Sequence, residues 1–160
     1  MLLASAVALM PGNMGGPGVG VNPLRGQNNV QGAADMGVQP NLGAGYLDVT
    51  APAVRAHYEQ EYGRPVPAEK GLTTPGMLNA ASNGTLKALW IMGEDILQTD
   101  PNYCHVRDAL SKVDFLVGQE LFMTETASLA AVVFPAASHR ENSRTFTNVE
   151  RLVSTVPHVT

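Results

Sequence analysis

Apolar residues fall into two kinds of run along this chain, and the difference between them predicts most of the fold. Residues 2–10, LLASAVALM, are apolar almost throughout and are stopped by PGNMGGPGVG, which predicts a short buried helix. AVRAHYEQEYG, from Ala53 to Gly63, has amphipathic helical spacing and closes on glycine. TPGMLNAASNG sets a proline just inside a helix start and Gly84 at its stop. Beyond Gly84 the runs change character. KALWIMG (87–93), FLVGQ (115–119) and AVVFPA (131–136) are continuous apolar stretches of strand length. Between them, PNYCHVRDALSKV (101–113) has helical spacing at Val106, Ala109, Leu110 and Val113, and TETASLA (124–130) reads as a helical turn.

Strand, helix, strand, helix, strand over residues 85–156 makes the class α/β: a parallel Rossmann-like sheet flanked by helices. Apolar runs without alternation predict strands buried on both faces, as a parallel sheet with helices on either side requires. From Gly12 to Gly45 the pattern is different, with glycines scattered among Asn, Gln and Pro and few charges. Long loops without regular structure inside a compact domain are commonly functional, so 12–45 is expected to be an ordered functional loop preceding the sheet. In open parallel sheets ligands lie beyond the carboxyl ends of the strands. That singles out Gly93-Glu94-Asp95, Gln119-Glu120-Leu121 and the stretch from Pro135 to Thr147. Acids at strand ends can accept paired hydrogen bonds from ribose hydroxyls or the N–H edge of guanine, and they can equally cap helices.

Composition narrows the function. The 160 residues fit one domain, with 44 % apolar and 15 % charged residues. A net charge of −4 without a basic run excludes an electrostatic footprint for nucleic acid. The apolar N-terminal run is far short of the about 20 residues needed to span a bilayer, so no membrane span is expected. One cysteine, Cys104, excludes an internal disulfide or a Cys-ligated cluster and is compatible with a cytoplasmic setting. Its place within a helix suggests a small buried filler. His57, His105, His139 and His158 have no cysteine or carboxylate partners at metal spacing, so no metal ligand is expected in the chain.

NPLRGQNNVQGAADMG (22–37), ALWIMGEDILQTDP and DFLVGQELFMTETASLAAVVFPAASHRENSRTFTNVER, in this order, resemble the molybdopterin-dependent formate dehydrogenases of the dimethyl sulfoxide reductase family. The resemblance spans essentially the whole chain, and RGQNNVQG with its arginine is similar to the formate dehydrogenase subgroup in particular. It implies that residues 1–160 are one partial domain, the central cofactor-binding segment of a much longer catalytic subunit. The cofactor implied is a bis-molybdopterin guanine dinucleotide holding molybdenum or tungsten, with a 4Fe-4S cluster in an N-terminal part not contained here. The partners implied are formate, the remainder of the subunit, and electron-transfer subunits linked to NAD or another carrier. Carried over by position, Arg25 would hold the carboxylate of formate and Gln27 would lie near substrate or pterin. Gly93, Glu94, Asp95, Gln119 and Glu120 would contact the nucleotide. A planar, permanently charged guanidinium suits Arg25's role because it grips a carboxylate bidentately and cannot act as a competing base.

The chain also departs from the family's pattern. Ala34 stands where a Cys or Ser is usual, Ile96 replaces a proline, and Asn142, Ser143 and Arg144 replace a Lys- or His-x-Gly pattern. Glu150-Arg151-Leu152 has one arginine where two are common. Cluster cysteines and the Cys-His or selenocysteine-His pair for the metal are absent from these residues, so the isolated chain is expected to be inactive. The alternatives are a truncated, non-catalytic nucleotide-binding module, or another molybdopterin oxidoreductase such as a nitrate reductase. RGQNNVQG argues against the last.

Overall fold

The computed structural model describes residues 2–22, 24, 26–148, 150 and 152–159. Its centre is a three-stranded parallel sheet formed by β1 (Ala88–Met92), β2 (Phe115–Glu120) and β3 (Val132–Pro135) in the order β1-β2-β3. Leu89 pairs with Leu116 and Met92 with Gln119, while Val117 pairs with Val132 and Gln119 with Phe134, so all three carboxyl ends lie together. Two short helices, α5 (Ile96–Thr99) and α6 (Tyr103–Ser111), make the crossover from β1 to β2. A single turn, α7 (Glu125–Ser128), connects β2 to β3. The predicted α/β succession is the one observed. Between β1 and β3, α5 is the element the pattern does not predict.

Packing explains the arrangement. On α6 the 3–4 spacing of Val106, Ala109 and Leu110 aims all three at the sheet. They bury against Leu78 and Ala81 of helix α4 (Thr74–Ser82), Ile96 and Leu97 of α5, and Leu116 of β2. Leu89 and Ile91 of β1 and Ala130 complete this layer. Asn102 caps α6 by accepting from the His105 N–H at 3.2 Å, and Gly84, at φ 77°, closes α4 as its sequence predicts.

Three expectations about burial change. The described helices pack on one face of the sheet only. The other face, which carries Trp90, Met92, Phe115, Val132 and Phe134, is exposed, so apolar runs that read as doubly covered strands are covered once within these residues. Helix α1 (Leu2–Leu9) forms as predicted but is not buried: Leu3 is 82 % exposed, and no α1 residue joins the core. An eight-residue helix that is apolar all round needs partners on several sides, and the described residues do not surround it. Cys104 is also exposed, because it lies two residues before Val106 and therefore on the outward side of α6.

Structure also appears inside the predicted loop. Helix α2 (Val30–Asp35) and a 3₁₀ turn at Ala44–Tyr46 lie within residues 12–45, and helix α3 (Pro52–Tyr62) follows. The buried Tyr58 of α3 donates from its hydroxyl to the Ala44 carbonyl at 2.7 Å, holding the turn to the helix. After the sheet, β4 (Arg144–Thr147) and β5 (Val153–Val156) form an antiparallel pair that pairs Arg144 with Val156 and Thr147 with Val153.

If α6 anchors the fold, truncating its buried contact will cost far more than changing α1. Leu110→Ala is expected to lose about 2–5 kcal/mol, against less than about 0.5 kcal/mol for Leu3→Ser. Urea midpoints of the two variants check this; equal losses would remove α6 from its central place.

Candidate functional site

The carboxyl ends of β1 and β2 bring together five of the residues singled out by sequence. Gly93 leaves β1 at φ 63°, a left-handed conformation that glycine adopts without a Cβ penalty, and its N–H donates to the Gln119 carbonyl at 2.9 Å. That bond extends the ladder one residue past Met92 and fixes where the Gly93-Glu94-Asp95 turn begins. Alternation then separates two neighbours on β2. Gln119 lies on the open face with Met92 and Phe134, whereas Glu120 continues the series of Leu116 and Gly118 toward the helices. The carboxamide of Gln119 has no hydrogen-bond partner among the described residues. Glu120 accepts from the N–H of Leu121 at 3.0 Å, and Glu94 accepts from the Thr99 hydroxyl.

Asp95 has a second attachment that sequence reasoning did not locate. One carboxylate oxygen accepts from both the backbone N–H of Thr126, at 3.1 Å, and its hydroxyl, at 2.6 Å. The Thr126 oxygen in turn accepts from the Leu97 N–H at 3.1 Å. Thr126 is 3 % exposed, so this is a buried link between the turn after β1 and the first turn of α7. A carboxylate at a helix N-terminus satisfies a free N–H and opposes the positive end of the helix dipole. Asp95 therefore caps a helix across two loops, and its other oxygen has no partner among the described residues. Ile96, where the resembled family has proline, is buried in the core as the first residue of α5.

Arg25 lies outside the described residues. Gln27 is exposed, and the amides behind it are anchored in an unexpected way. Asn29 sits at φ 62°, a conformation Asn tolerates better than most residues, and its side chain leaves the N-cap unsatisfied locally. Its amide instead donates to the Thr145 carbonyl at 2.9 Å and accepts from the Thr147 N–H at 3.1 Å, taking the place of a neighbouring strand on the edge of β4. Gly32 leaves room for this: a Cβ there would lie 2.8 Å from Asn29 Cγ. One turn on, Asp35 accepts from the Thr147 hydroxyl at 2.9 Å and from Gln31 at 2.9 Å, and Gln31 also donates to the Tyr46 hydroxyl at 2.6 Å. Tyr46 is held at φ 64°, unusual for a bulky residue. Donors from Gln31, then Thr147, and also Tyr46 lower the carboxyl pKa of Asp35.

The third loop braces itself. Arg144, at a position where the family pattern differs, donates to the carbonyls of Ala137 and Ser138 at 2.8 and 3.2 Å. His139 packs its ring 5.3 Å from that of Phe146. A surface depression lies between β4 and β5, lined by Ser143, Arg144, Thr145, Thr155, Val156 and Pro157; three of these fall in the Pro135 to Thr147 stretch, while Gln27, Gly93, Glu94, Asp95, Gln119 and Glu120 do not line it. No group of three or more His, Cys, Asp or Glu among the described residues could hold a metal ion.

Comparison with known proteins covers nearly all of this framework. A family model described as "Molybdopterin oxidoreductase" matches residues 2–159. The chain is 45 % identical over 150 residues to the F420-dependent formate dehydrogenase 1 subunit alpha of Methanococcus maripaludis, a match covering 94 % of this chain and 22 % of that protein. It is 42 % identical over 148 residues to formate dehydrogenase H of Escherichia coli, covering 92 % and 21 %. With the probable oxidoreductase YjgC of Bacillus subtilis, identity is 45 % over 149 residues, covering 93 % and 15 %. The chain thus spans between 15 % and 22 % of the length of these relatives.

The Asp35 network makes attachment of α2 to β4 dependent on pH. Because the folded pKa of Asp35 is depressed, its contribution is complete above the ordinary carboxylate range and is lost as pH falls through the lowered value. Amide exchange of α2, followed by NMR as pH drops below about 4, should accelerate before that of α6, and Asp35→Asn should abolish this acid step. An Asp35 carboxyl that titrates at its ordinary value would contradict the network.

Proposed function

The chain belongs to the molybdopterin oxidoreductase family, and from that premise we propose that it is the central cofactor-binding segment of a formate dehydrogenase catalytic subunit. The observation that carries this reading is the identity of about 45 % to formate dehydrogenase subunits over nearly the whole chain. In this reading the whole subunit oxidises formate to CO2, releasing a proton and two electrons. Formate, the rest of the subunit and electron-transfer subunits are its partners, and the setting is cytoplasmic. Among the described residues no helix is long and apolar enough to cross a membrane.

The geometry at the carboxyl end of the sheet suits one part of the proposed bis-molybdopterin guanine dinucleotide. The second oxygen of Asp95 and the carboxamide of Gln119, both without a hydrogen-bond partner among the described residues, offer acceptors, and the amide a donor as well, to the polar edge of a guanosine. The cap on Thr126 keeps the Asp95 carboxylate from turning, so a ligand meets it already oriented. Gly93 exposes backbone beside them, with Glu94 and Glu120 flanking, each already holding one internal donor. In this reading the metal ligand and the 4Fe-4S cluster belong to the remainder of the subunit. When bound, the molybdenum or tungsten cofactor supplies a two-electron acceptor for the hydrogen on formate's carbon.

Arg25 would grip the formate carboxylate as a fork and aim the C–H bond, with Gln27 beside substrate or pterin. Neither group moves a proton; their work is orientation, and misplacing a reacting bond by about 1 Å can cost on the order of a hundredfold in rate. The α2–β4 network gives the loop its fixed base: Asn29, four residues from Arg25, is tied to β4 at both ends of its amide.

Two substitutions in the full-length subunit separate these roles. Arg25→Lys is expected to lower formate turnover by about a hundredfold with metal content unchanged, because an ammonium binds without orienting. Unchanged turnover would sink the orienting role. Asp95→Asn retains an acceptor for Thr126 while replacing the free oxygen with a donor, so guanine nucleotide recovered per subunit should fall while Tm holds. Full nucleotide content in that variant would exclude Asp95 from the site.

A further inference from the structure

The end of helix α4 holds a chemically labile pair. In an Asn-Gly dipeptide the backbone nitrogen of the glycine can attack the side-chain carbonyl carbon of the asparagine, because no Cβ on the glycine obstructs the approach. Asn83-Gly84 is the one such pair in the sequence, and Asn83 is exposed. Gly84 sits at φ 77°, the left-handed conformation that favours glycine after a helix, so the stop that ends α4 also creates the reactive dipeptide.

The same stop holds the reacting atoms apart. Ring closure requires the Gly84 nitrogen to turn about the Cα–C bond of Asn83 until it eclipses Cβ. At ψ 2° it eclipses the backbone nitrogen of Asn83 instead. The Gly84 N–H is also occupied, donating to the Ala81 carbonyl at 3.0 Å. Asn83 Oδ1 is clasped in turn, accepting from the Thr85 N–H at 3.1 Å and lying 2.7 Å from the Thr85 hydroxyl. That hydroxyl shares its one proton with the Ala80 carbonyl, 3.1 Å away, and the N–H groups of Thr85 and Leu86 donate to the same carbonyl at 2.9 and 3.0 Å. The reactive pair is thus tied to the last turn of α4 on both sides.

We propose that Asn83 is a site of spontaneous deamidation, held shut by the folded end of α4 and released when that end opens. The Gly84 nitrogen gives up its proton to water and bonds to Asn83 Cγ, and the side-chain nitrogen leaves as ammonia. Water then opens the five-membered succinimide. Its attack at Cγ gives aspartate; attack at the backbone carbonyl gives isoaspartate. No electrons are transferred, and water is the sole co-reactant. Either product sets a negative charge at the C-terminal end of α4, where the helix dipole is itself negative. Isoaspartate also adds a carbon to the backbone, two residues beyond the buried Ala81. Hydrolysis does not reverse, so a molecule that has opened here keeps a weakened helix end. This inference uses only residues 80–86 and is independent of the formate reading.

Peptide mapping of the full-length subunit by mass spectrometry tests it without reference to activity. The subunit is held in mildly alkaline buffer with and without guanidinium, and the peptide containing Asn83 is followed for amide hydrolysis, with aspartate and isoaspartate separated by chromatography. The expected result is conversion, mainly to isoaspartate, in the unfolded subunit, and conversion at least about tenfold slower in the folded one. Thr85→Val removes the hydroxyl and keeps the bonds made by the backbone N–H of residue 85. It is expected to speed conversion about fivefold in the folded subunit, as loss of one hydrogen bond allows, and to leave the unfolded rate unchanged. Equal rates in the folded and unfolded subunit, or no conversion when unfolded, would overturn the proposal. A folded Thr85→Val subunit that converts no faster than the parent would overturn it too, by assigning the protection to cover from elsewhere. Should Thr85→Val not fold, hydrogen exchange of the Gly84 amide in the parent replaces it, and exchange as fast as in an unfolded peptide would reject the helix end as the guard.

Discussion

The strand-end site depends on α6 lying against β1 and β2. Val106, Ala109 and Leu110 meet Leu116 and the flanking helices at one buried layer, and this is where the chain removes most of its apolar surface from water. Hydrophobic burial stabilises by roughly 25 cal/mol per Å², so a fold with one such layer concentrates its stability there. The strand-end turns are rigid because they leave from this layer: Ile96 and Leu97 are core residues immediately beyond Asp95, and Ala127 is buried immediately beyond Thr126.

A second constraint follows from the first. Two turns that emerge side by side from a parallel sheet each begin a helix, and each exposes unsatisfied N–H groups. Asp95 resolves the problem for α7 from the neighbouring turn, with Thr126 relaying a bond to Leu97. The bland reading of a strand-end acid, as a helix cap, and the functional reading, as a nucleotide acceptor, are therefore not exclusive. A carboxylate has two oxygens, and the cap occupies one. Such a cap holds the remaining acceptor at a set angle, which favours binding by reducing the ordering still to be done.

The amide-rich segment works on a different principle. Gln31, Asn29 and Asp35 form a polar lattice with Thr145 and Thr147, more than 100 residues away in sequence. The side chain of Asn29 does the work of a strand, and Gly32 is small so that it can. At this position the missing Cβ of Gly32 makes room for an asparagine. Non-glycine residues at positive φ, Asn29 and Tyr46, both belong to this lattice, and strained backbone persists only where the surroundings over-determine it.

Local pattern was enough to determine the order of strands and helices from Gly84 to Pro135, the stops at Gly63 and Gly84, and the convergence of Gly93, Asp95 and Gln119 at one end of the sheet. Those features depend on period and on chain direction, which neighbouring residues encode. Partners distant in sequence left no such trace. Thr126 as the mate of Asp95, Thr147 as the mate of Asp35, and the four-residue strands β4 and β5 are specified by pairing across space, which no window of sequence contains. Burial was legible only halfway for the same reason. An apolar strand declares that both its faces want cover, and only the tertiary structure decided that, within these residues, α4 to α7 cover one face while Trp90 and Phe134 stand open on the other.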